Sequence, residues 1–371
     1  MPAIISITAQ LPPSCIGTDE LLDASGGRFS DELHTMLSRL GVEKRYSVLA
    51  NFPAVLFDGD EPELAVSGSV LAAKAARICI EKASVDPNDI GLVLGITSSP
   101  SRLLPSLVCD LFALMPEIPR DAANLSISYM GCSAIAKVVD TANWFLVSNP
   151  KKLVLACFMD AITPLTPVLS GQYKHFSELE PSERQETVNV MHGLLFGDAS
   201  VAMLLSSDGV GPRFGQVAHW TNDVPEDAEL GTVPDGGSDI PVVHGRRLYT
   251  LSSDVTPRGT FYAAHTVKRL LETGGQTMRN AREAAFLLMH TGSTRILNGL
   301  CTQFEVRPED RAVESSYRIL RDFGNTVGCS IPLMLADPVD RAEGQGLVVA
   351  FGLSFSCGAF TLTVPQGGWR P

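Results

Sequence analysis

The sequence predicts an α/β protein built from two similar halves. Short, nearly continuous apolar runs alternate with longer stretches rich in alanine, leucine and other helix-forming residues. Several segments recur in the same order in the first and second halves of the chain, which is typical of a duplicated unit. With 371 residues, the chain is long enough for two such units around a substantial core.

Four apolar runs predict buried strands, because unbroken hydrophobicity suits strands that are covered on both faces. These runs are residues 92–96, 153–158, 201–205 and 347–351. Helix-forming stretches predict helices at residues 64–83, 134–147 and 265–272. The alternation of the two patterns predicts a sheet with helices packed on its faces.

The internal repeat is carried by matched motifs. A polar lead, an apolar run and a Thr/Ser turn occur at residues 88–99 and again at residues 280–293. Further along each half, Gly131-Cys132-Ser133 is echoed by Gly328-Cys329-Ser330. The turn-rich stretch 206–212 is the predicted junction. We therefore expect an N-terminal half at residues 1–210 and a C-terminal half at residues 211–371.

Composition and charge exclude several classes of protein. The chain carries 29 Lys+Arg against 41 Asp+Glu, and such an acidic surface disfavours nucleic acid binding. No apolar run approaches the roughly 20 residues of a membrane helix, and the first residues lack the pattern of a signal peptide. Eight scattered cysteines without a CxxC pair favour a reducing cytoplasm. We expect no membrane contact, no metal and no cofactor.

Three residues are candidates for chemistry because of where they stand. Cys132 opens a predicted helix, whose positive end would lower the pKa of the thiol and favour a nucleophilic thiolate. His290 ends an apolar run on a Gly-containing turn, where α/β proteins place functional groups. Asn325 lies in the tight turn Gly324-Asn325-Thr326.

Taken singly, each candidate has an ordinary structural explanation. Cys132 could be a buried thiol, His290 a hydrogen-bonded structural histidine and Asn325 a turn residue. The other histidines show no metal-ligand spacing, and we expect His34, His175 and His192 to be surface or loop residues.

The order Cys132, His290, Asn325 resembles the Cys-His-Asn triad of thiolase-fold condensing enzymes. The surrounding motifs resemble those of β-ketoacyl-acyl carrier protein synthase III and of the type III polyketide synthases. Gly324-Asn325-Thr326 matches the Gly-Asn-Thr turn of these enzymes, and residues 195–198 are similar to their Leu-Phe-Gly-Asp segment. Residues 350–358 resemble their C-terminal Ala-Phe-Gly segment, and the resemblance runs from about residue 38 to residue 363.

The resemblance implies a thiolase-like duplicated fold of five αβαβα layers in a homodimer. It implies that Cys132 takes the acyl group from a thioester of coenzyme A or acyl carrier protein. His290 and Asn325 would then stabilise the enolate that forms when a malonyl-type extender loses carbon dioxide. The backbone N–H groups of Cys132 and Leu353 would form the oxyanion hole.

The resemblance also assigns residues outside the triad. Arg39 and Arg295 match family arginines that meet coenzyme A or the carrier protein, and Leu104 matches a loop that reaches the partner subunit's cavity. The tryptophan of the family's coenzyme A site falls near Thr35 and a second arginine falls near Val190. These departures leave room for a donor bound to a carrier protein, or for an unusual acyl donor.

Two alternatives remain open. The enzyme could pass the Cys-bound acyl group to an alcohol or amine, with His290 as the base. Retention of Asn325 favours decarboxylation instead, because acyl transfer to a heteroatom needs no enolate stabiliser. The chain could also be a non-catalytic subunit of a larger synthase, against which the intact Cys-His-Asn set argues.

Overall fold

A nine-stranded mixed sheet runs through the computed structural model, which describes residues 1–180, 183–233, 250–252, 254–337, 343–352 and 356–367. The strands of the described residues are β1 (Ala3–Gln10), β2 (Ser14–Gly17), β3 (Lys44–Ser47), β4 (Ile90–Thr97), β5 (Ala123–Ser128), β6 (Leu153–Asp160), β7 (Ala199–Ser206), β8 (Arg213–Trp220), β9 (Gly231–Thr232), β10 (Thr250–Leu251), β11 (Leu287–Met289), β12 (Gly344–Phe351) and β13 (Cys357–Val364). The order across the large sheet is β11-β12-β13-β8-β1-β7-β6-β4-β5.

The helices of the described residues are α1 (Thr18–Ala24), α2 (Asp31–Leu37), α3 (Phe52–Phe57), α4 (Gly68–Ala83), α5 (Leu107–Leu114), α6 (Ala134–Ser148), α7 (Arg184–Leu195), α8 (Val255–Thr273), α9 (Met278–Arg282), α10 (Thr294–Phe304), α11 (Glu314–Phe323) and α12 (Ser330–Ala336). Each of the four predicted apolar runs lies inside an observed strand, and each of the three predicted helices overlaps an observed one. No described helix has the length and apolar character that crossing a membrane requires.

The large sheet consists of two parts that meet at a single point. In the first part, β4 runs parallel to β5 and β6, whereas β7 pairs antiparallel with β6 and β1. In the second part, β11 and β12 are parallel, and β13 pairs antiparallel with β12 and β8. The parts join where Ala3 of β1 pairs with Arg213 of β8. Residues 207–212, inside the predicted junction, connect β7 to β8, and the division into domains at residue 210 stays a prediction.

Three apolar clusters show how helices and sheet are layered. Helices α6 and α12 share one cluster with inward-facing side chains of both parts of the sheet. Helices α4 and α5 pack on the other face of the first part, and α8 and α10 on the other face of the second. Val93 and Leu94 of β4 face opposite clusters, as the two-residue period of a strand requires. This arrangement confirms the predicted αβαβα layers.

A fourth apolar cluster stands beside the layers. It joins α1, α2 and α3 to the outer face of α7, through side chains that include Leu33, Leu56, Val190 and Leu194. The cluster fixes α2 and α7 as the walls of a cavity at the junction of the two halves.

Candidate active site

A cavity of about 810 Å³ contains all three candidate residues of the triad. Cys132 comes from the turn before α6, His290 from the end of β11, and Asn325 from the turn after α11. The structure therefore brings together residues that are far apart in the sequence, and their catalytic roles remain predictions.

A tight turn before α6 holds Cys132. Residues 131–133 form one turn of 3-10 helix, and Gly131 has φ +52°, in the left-handed region that favours glycine. The Gly131 N–H donates to Ser98 Oγ at 2.9 Å, and the Cys132 thiol donates to the carbonyl oxygen of Val327 at 2.8 Å. The thiol is thus fixed between the two halves of the molecule and is almost completely buried.

The expected lowering of the Cys132 pKa by the helix end is not what the structure shows. Burial raises the pKa of the Cys132 thiol well above its ordinary value, and the nearby Asp160 carboxylate raises it further. The resting group is a neutral thiol, so nucleophilic attack requires a base that takes its proton.

Asn325 is linked by hydrogen bonds to Cys132, through Val327, and to the turn that follows His290. Its Oδ1 accepts from the N–H of Val327 at 3.0 Å, and the Val327 carbonyl is the acceptor for Cys132. Its Nδ2 donates to the carbonyl oxygen of Gly292 at 3.4 Å. A β-carbon on Gly292 would lie 2.6 Å from His290 Nε2, so this glycine lets the backbone approach the imidazole.

The backbone of Asn325 is held by the segment 195–198. Its N–H donates to the Leu195 carbonyl at 2.9 Å, and its carbonyl accepts from the Gly197 N–H at 3.2 Å. Gly324 has φ +70°, and a β-carbon there would lie 2.5 Å from the Leu195 carbonyl oxygen. The two motifs that were matched separately in the sequence therefore form one contact.

His290 presents a buried, neutral imidazole. Its backbone N–H donates to the Val349 carbonyl at 3.0 Å, which extends the pairing of β11 with β12. Its ring packs on Phe351 with ring centroids 4.6 Å apart, and its Nδ1 has no hydrogen-bond partner among the described residues. Burial lowers the pKa of His290 to about 3, so the ring can accept a proton or donate a hydrogen bond as a neutral group.

Asp160 is a residue of this site that the sequence reasoning missed. Its buried carboxylate accepts from the Ser98 N–H at 2.7 Å, from Ser99 Oγ at 2.9 Å and from the Gly328 N–H at 2.8 Å. It therefore ties the loop that supports Cys132 to the equivalent turn of the second half. Burial raises the pKa of Asp160 to about 6. The available signal was a carboxylate at the end of an otherwise apolar strand.

The predicted binding residues fall into three groups. Arg39 and Arg295 both line the outer part of the cavity and are exposed. Thr294 Oγ1 donates to the Leu40 carbonyl at 2.7 Å, which joins the segments that carry the two arginines. Leu104 is 85% exposed and does not line the cavity of its own chain. Leu353, predicted to complete the oxyanion hole, lies outside the described residues.

The prediction for His192 was wrong, because this side chain is neither on the surface nor in a loop. It lies near the end of α7, is buried, and lines the cavity. His34 is exposed, and His175 is half-buried in a loop before a short 3-10 helix, both as expected of surface or loop residues. The described residues offer no group of three His, Cys, Asp or Glu side chains that could hold a metal ion.

The sequence is similar to those of known condensing enzymes. Residues 277–364 match the family described as 3-Oxoacyl-[acyl-carrier-protein (ACP)] synthase III C terminal. A beta-ketoacyl-[acyl-carrier-protein] synthase III of Rubrobacter xylanophilus is 26% identical over 288 residues, covering 77% of this chain and 79% of that protein. The synthase III of Porphyra umbilicalis is 24% identical over 317 residues, covering 81% and 86%.

Solved structures match over nearly the whole chain. The type III polyketide synthase domain of Steely1 from Dictyostelium has a TM-score of 0.76 at 15% identity, covering 98% of this chain and 99% of that one. The 3-oxoacyl-(acyl carrier protein) synthase III of Pseudomonas aeruginosa has a TM-score of 0.71 at 20% identity, covering 98% of each chain. These matches confirm the thiolase fold and the resemblance to condensing enzymes.

Proposed function

We propose that this thiolase-fold condensing enzyme, of the acyltransferase type, forms an acyl-Cys132 intermediate and then performs a decarboxylative Claisen condensation with a malonyl-type thioester. The observation that carries the proposal is the content of one cavity: a buried neutral thiol, a buried neutral imidazole and a primary amide. The same three groups can supply a nucleophile, a base and two neutral hydrogen-bond donors.

Acyl loading begins at Cys132. Because burial raises the pKa of the thiol, its proton must leave as Sγ attacks the thioester carbonyl, and the neutral ring of His290 is the base in the same cavity. The proton then passes from the imidazolium to the departing thiolate, which leaves as a free thiol. The cycle ends with the acyl group on Cys132 and His290 neutral again.

Condensation uses His290 and Asn325 as donors. The Asn325 amide carries two N–H hydrogens and donates one to Gly292, so the second is available to the thioester carbonyl of the extender. Loss of carbon dioxide places negative charge on that oxygen, where hydrogen bonds from His290 and Asn325 stabilise it. The carbanion attacks the acyl carbonyl, the bond to Sγ breaks, and the product is a β-ketoacyl thioester. The Cys132 thiolate that leaves takes one proton from solvent and becomes a thiol again. We assign the oxyanion hole to the N–H groups of Cys132 and Leu353.

The donor is proposed to be a thioester of coenzyme A or of acyl carrier protein. Arg39 and Arg295 stand on the rim of the cavity in a chain of net charge −12, and neither forms an ion pair with a described carboxylate. Two free guanidinium groups at the mouth favour a phosphate-bearing or acidic partner.

The active form is proposed to be a cytoplasmic homodimer. Strand β5 is the last strand of the large sheet, and the edge it presents includes Leu125, which is 46% exposed. Helix α6, which packs against β5, exposes Trp144 and Val147. A strand edge with which no described strand pairs, beside exposed apolar side chains, is suited to a second copy of the chain, which would bring Leu104 to its partner's cavity.

Intact-mass measurement after incubation with acyl thioesters tests the loading step. We expect the mass to rise by one acyl group in the native protein and in Cys329→Ala, and to stay unchanged in Cys132→Ala. Cys329 is a matched control because it stands in the equivalent turn of the second half, is equally buried, and does not line the cavity. Loading of the Cys132→Ala protein would show that another group is the nucleophile.

A further inference from the structure

Helix α7 presents one face to the cavity, and His192 is the one polar side chain among the four that line the cavity from this face. Val188, Met191, His192 and Leu195 all line the cavity, with the spacing i, i+3, i+4, i+7 of a single helical face. Three of these side chains are apolar and the fourth is an imidazole. The opposite face of α7 packs into the apolar cluster with α1, α2 and α3.

Among the described residues, no hydrogen bond explains the imidazole of His192 as a structural group. The side chain is 4% exposed, and its Nδ1 is buried without a hydrogen-bond partner among the described residues. Its described ring contact is with Phe196, at 5.7 Å between centroids. Nδ1 is covered by protein, so Nε2, to which no described residue hydrogen-bonds, is the ring nitrogen that a group of the ligand can reach.

His192 and Cys132 line the same cavity and are connected by a short series of contacts. Phe196 and Val327 belong to one small apolar cluster, and Val327 accepts the hydrogen bond of the Cys132 thiol. His192 touches Phe196, so the contact between Phe196 and Val327 joins it to the turn that holds the nucleophile. Because Cys132 and His192 line the same cavity, we place the chain of an acyl group held at Cys132 against His192.

We propose that His192 is the hydrogen-bond partner of an oxygen on the acyl chain, so that the enzyme selects an acyl group bearing a hydroxyl or carbonyl over a plain saturated one. The inference deepens the proposed function, because it rests on an acyl group held at Cys132. Burial lowers the pKa of His192 to about 4, so the ring is neutral and has both a donor and an acceptor nitrogen. Ile162, Met36 and Phe176 also line the cavity and offer such an oxygen no hydrogen-bonding side chain.

The test measures binding separately from chemistry. Calorimetric titration of the Cys132→Ala protein uses the hexanoyl thioester of N-acetylcysteamine and two counterparts with a hydroxyl on the third or on the terminal carbon. We expect at least one hydroxylated thioester to bind more tightly than the plain one. The additional change His192→Leu should reduce that preference roughly 5- to 100-fold, the range for one buried hydrogen bond, and His192→Gln should keep part of it.

Met191→Leu is the matched control, since it alters the same face of α7 without removing a polar group, and it should shift both affinities together. The inference is overturned if the plain thioester binds as well as both hydroxylated ones, or if the preference survives His192→Leu. Measuring acyl loading of the native protein by intact mass distinguishes a failure of the proposed function from a failure of the role of His192. Selective binding without loading would contradict the proposed function alone, and unselective loading would contradict the role of His192 alone.

Discussion

The neutral state of His290 makes a specific prediction about stability and pH. Burial lowers the pKa of His290 to about 3, from 6.5 for an ordinary histidine. A group whose pKa is lower in the folded than in the unfolded protein contributes stability above its unfolded-state pKa. That contribution is lost as the pH falls towards its folded-state pKa. Between about pH 7 and about pH 5, this one residue should cost the protein about 2 kcal/mol of unfolding free energy. Replacement by glutamine, His290→Gln, should remove that loss.

Other buried groups titrate in the same pH range, but their contributions to the unfolding free energy cancel when the native protein is compared with His290→Gln. Burial lowers the pKa of His192 to about 4, which gives a loss of the same sign. Burial raises the pKa values of Asp160 and Asp198 to about 6, so these carboxyls add stability as the pH falls through that value. All three groups are present in both proteins, and the difference between native protein and variant isolates His290.

The assay is urea unfolding, followed by tryptophan fluorescence at both pH values, with exposed His34→Gln as the control. The native protein and His34→Gln should each lose about 2 kcal/mol more than His290→Gln on going to the lower pH. An equal loss in all three proteins would mean that His290 is not held neutral, and the proposed base and neutral donor would be wrong.

Three further predictions follow from single contacts. Asp160→Asn should cost about 1–3 kcal/mol in urea unfolding, because an amide N–H replaces an oxygen that accepts from a backbone N–H. Gly352→Ala should abolish acyl loading by intact mass while leaving the circular dichroism unchanged, because its β-carbon would lie 2.1 Å from the Met130 carbonyl oxygen in the turn before the nucleophile. Arg39→Ala and Arg295→Ala should each raise KM about tenfold for coenzyme A or carrier thioesters, and leave KM for N-acetylcysteamine thioesters unchanged in steady-state assays.

The layered architecture could be predicted because strands buried on both faces are apolar throughout, as in β4 and β6. Helix starts were harder to predict. Helix α8 begins at Val255, well before the predicted residue 265, in a stretch that contains Pro257 and Gly259. Gly259 is required because a β-carbon there would lie 2.4 Å from the Phe351 ring. This requirement arises from contact with a residue that is distant in the sequence, so a local sequence pattern does not reveal it.

The triad of the candidate site was predictable from the sequence, whereas Asp160, His192 and the electrostatics of the site were not. Order along the chain was enough to select Cys132, His290 and Asn325. The pKa of Cys132 depends on burial and on Asp160, which approaches from another strand, and so the helix end alone gave the wrong direction. His192 was wrongly predicted to be a surface or loop residue, although its spacing of four residues from Val188 indicated that both lie on one face of a helix.

Release of carbon dioxide from a malonyl thioester, labelled on its free carboxyl group, tests the central claim most directly. The protein is first loaded with its acyl group, and the rate is measured for the native enzyme, Asn325→Ala and Asn298→Ala. Asn298 is a second cavity-lining asparagine, engaged by Tyr317. Decarboxylative condensation predicts that Asn325→Ala still loads but releases carbon dioxide roughly 100- to 1,000-fold more slowly, while Asn298→Ala stays near the native rate. Acyl transfer to an added alcohol or amine at the native rate by Asn325→Ala, with no carbon dioxide released by either protein, would contradict it.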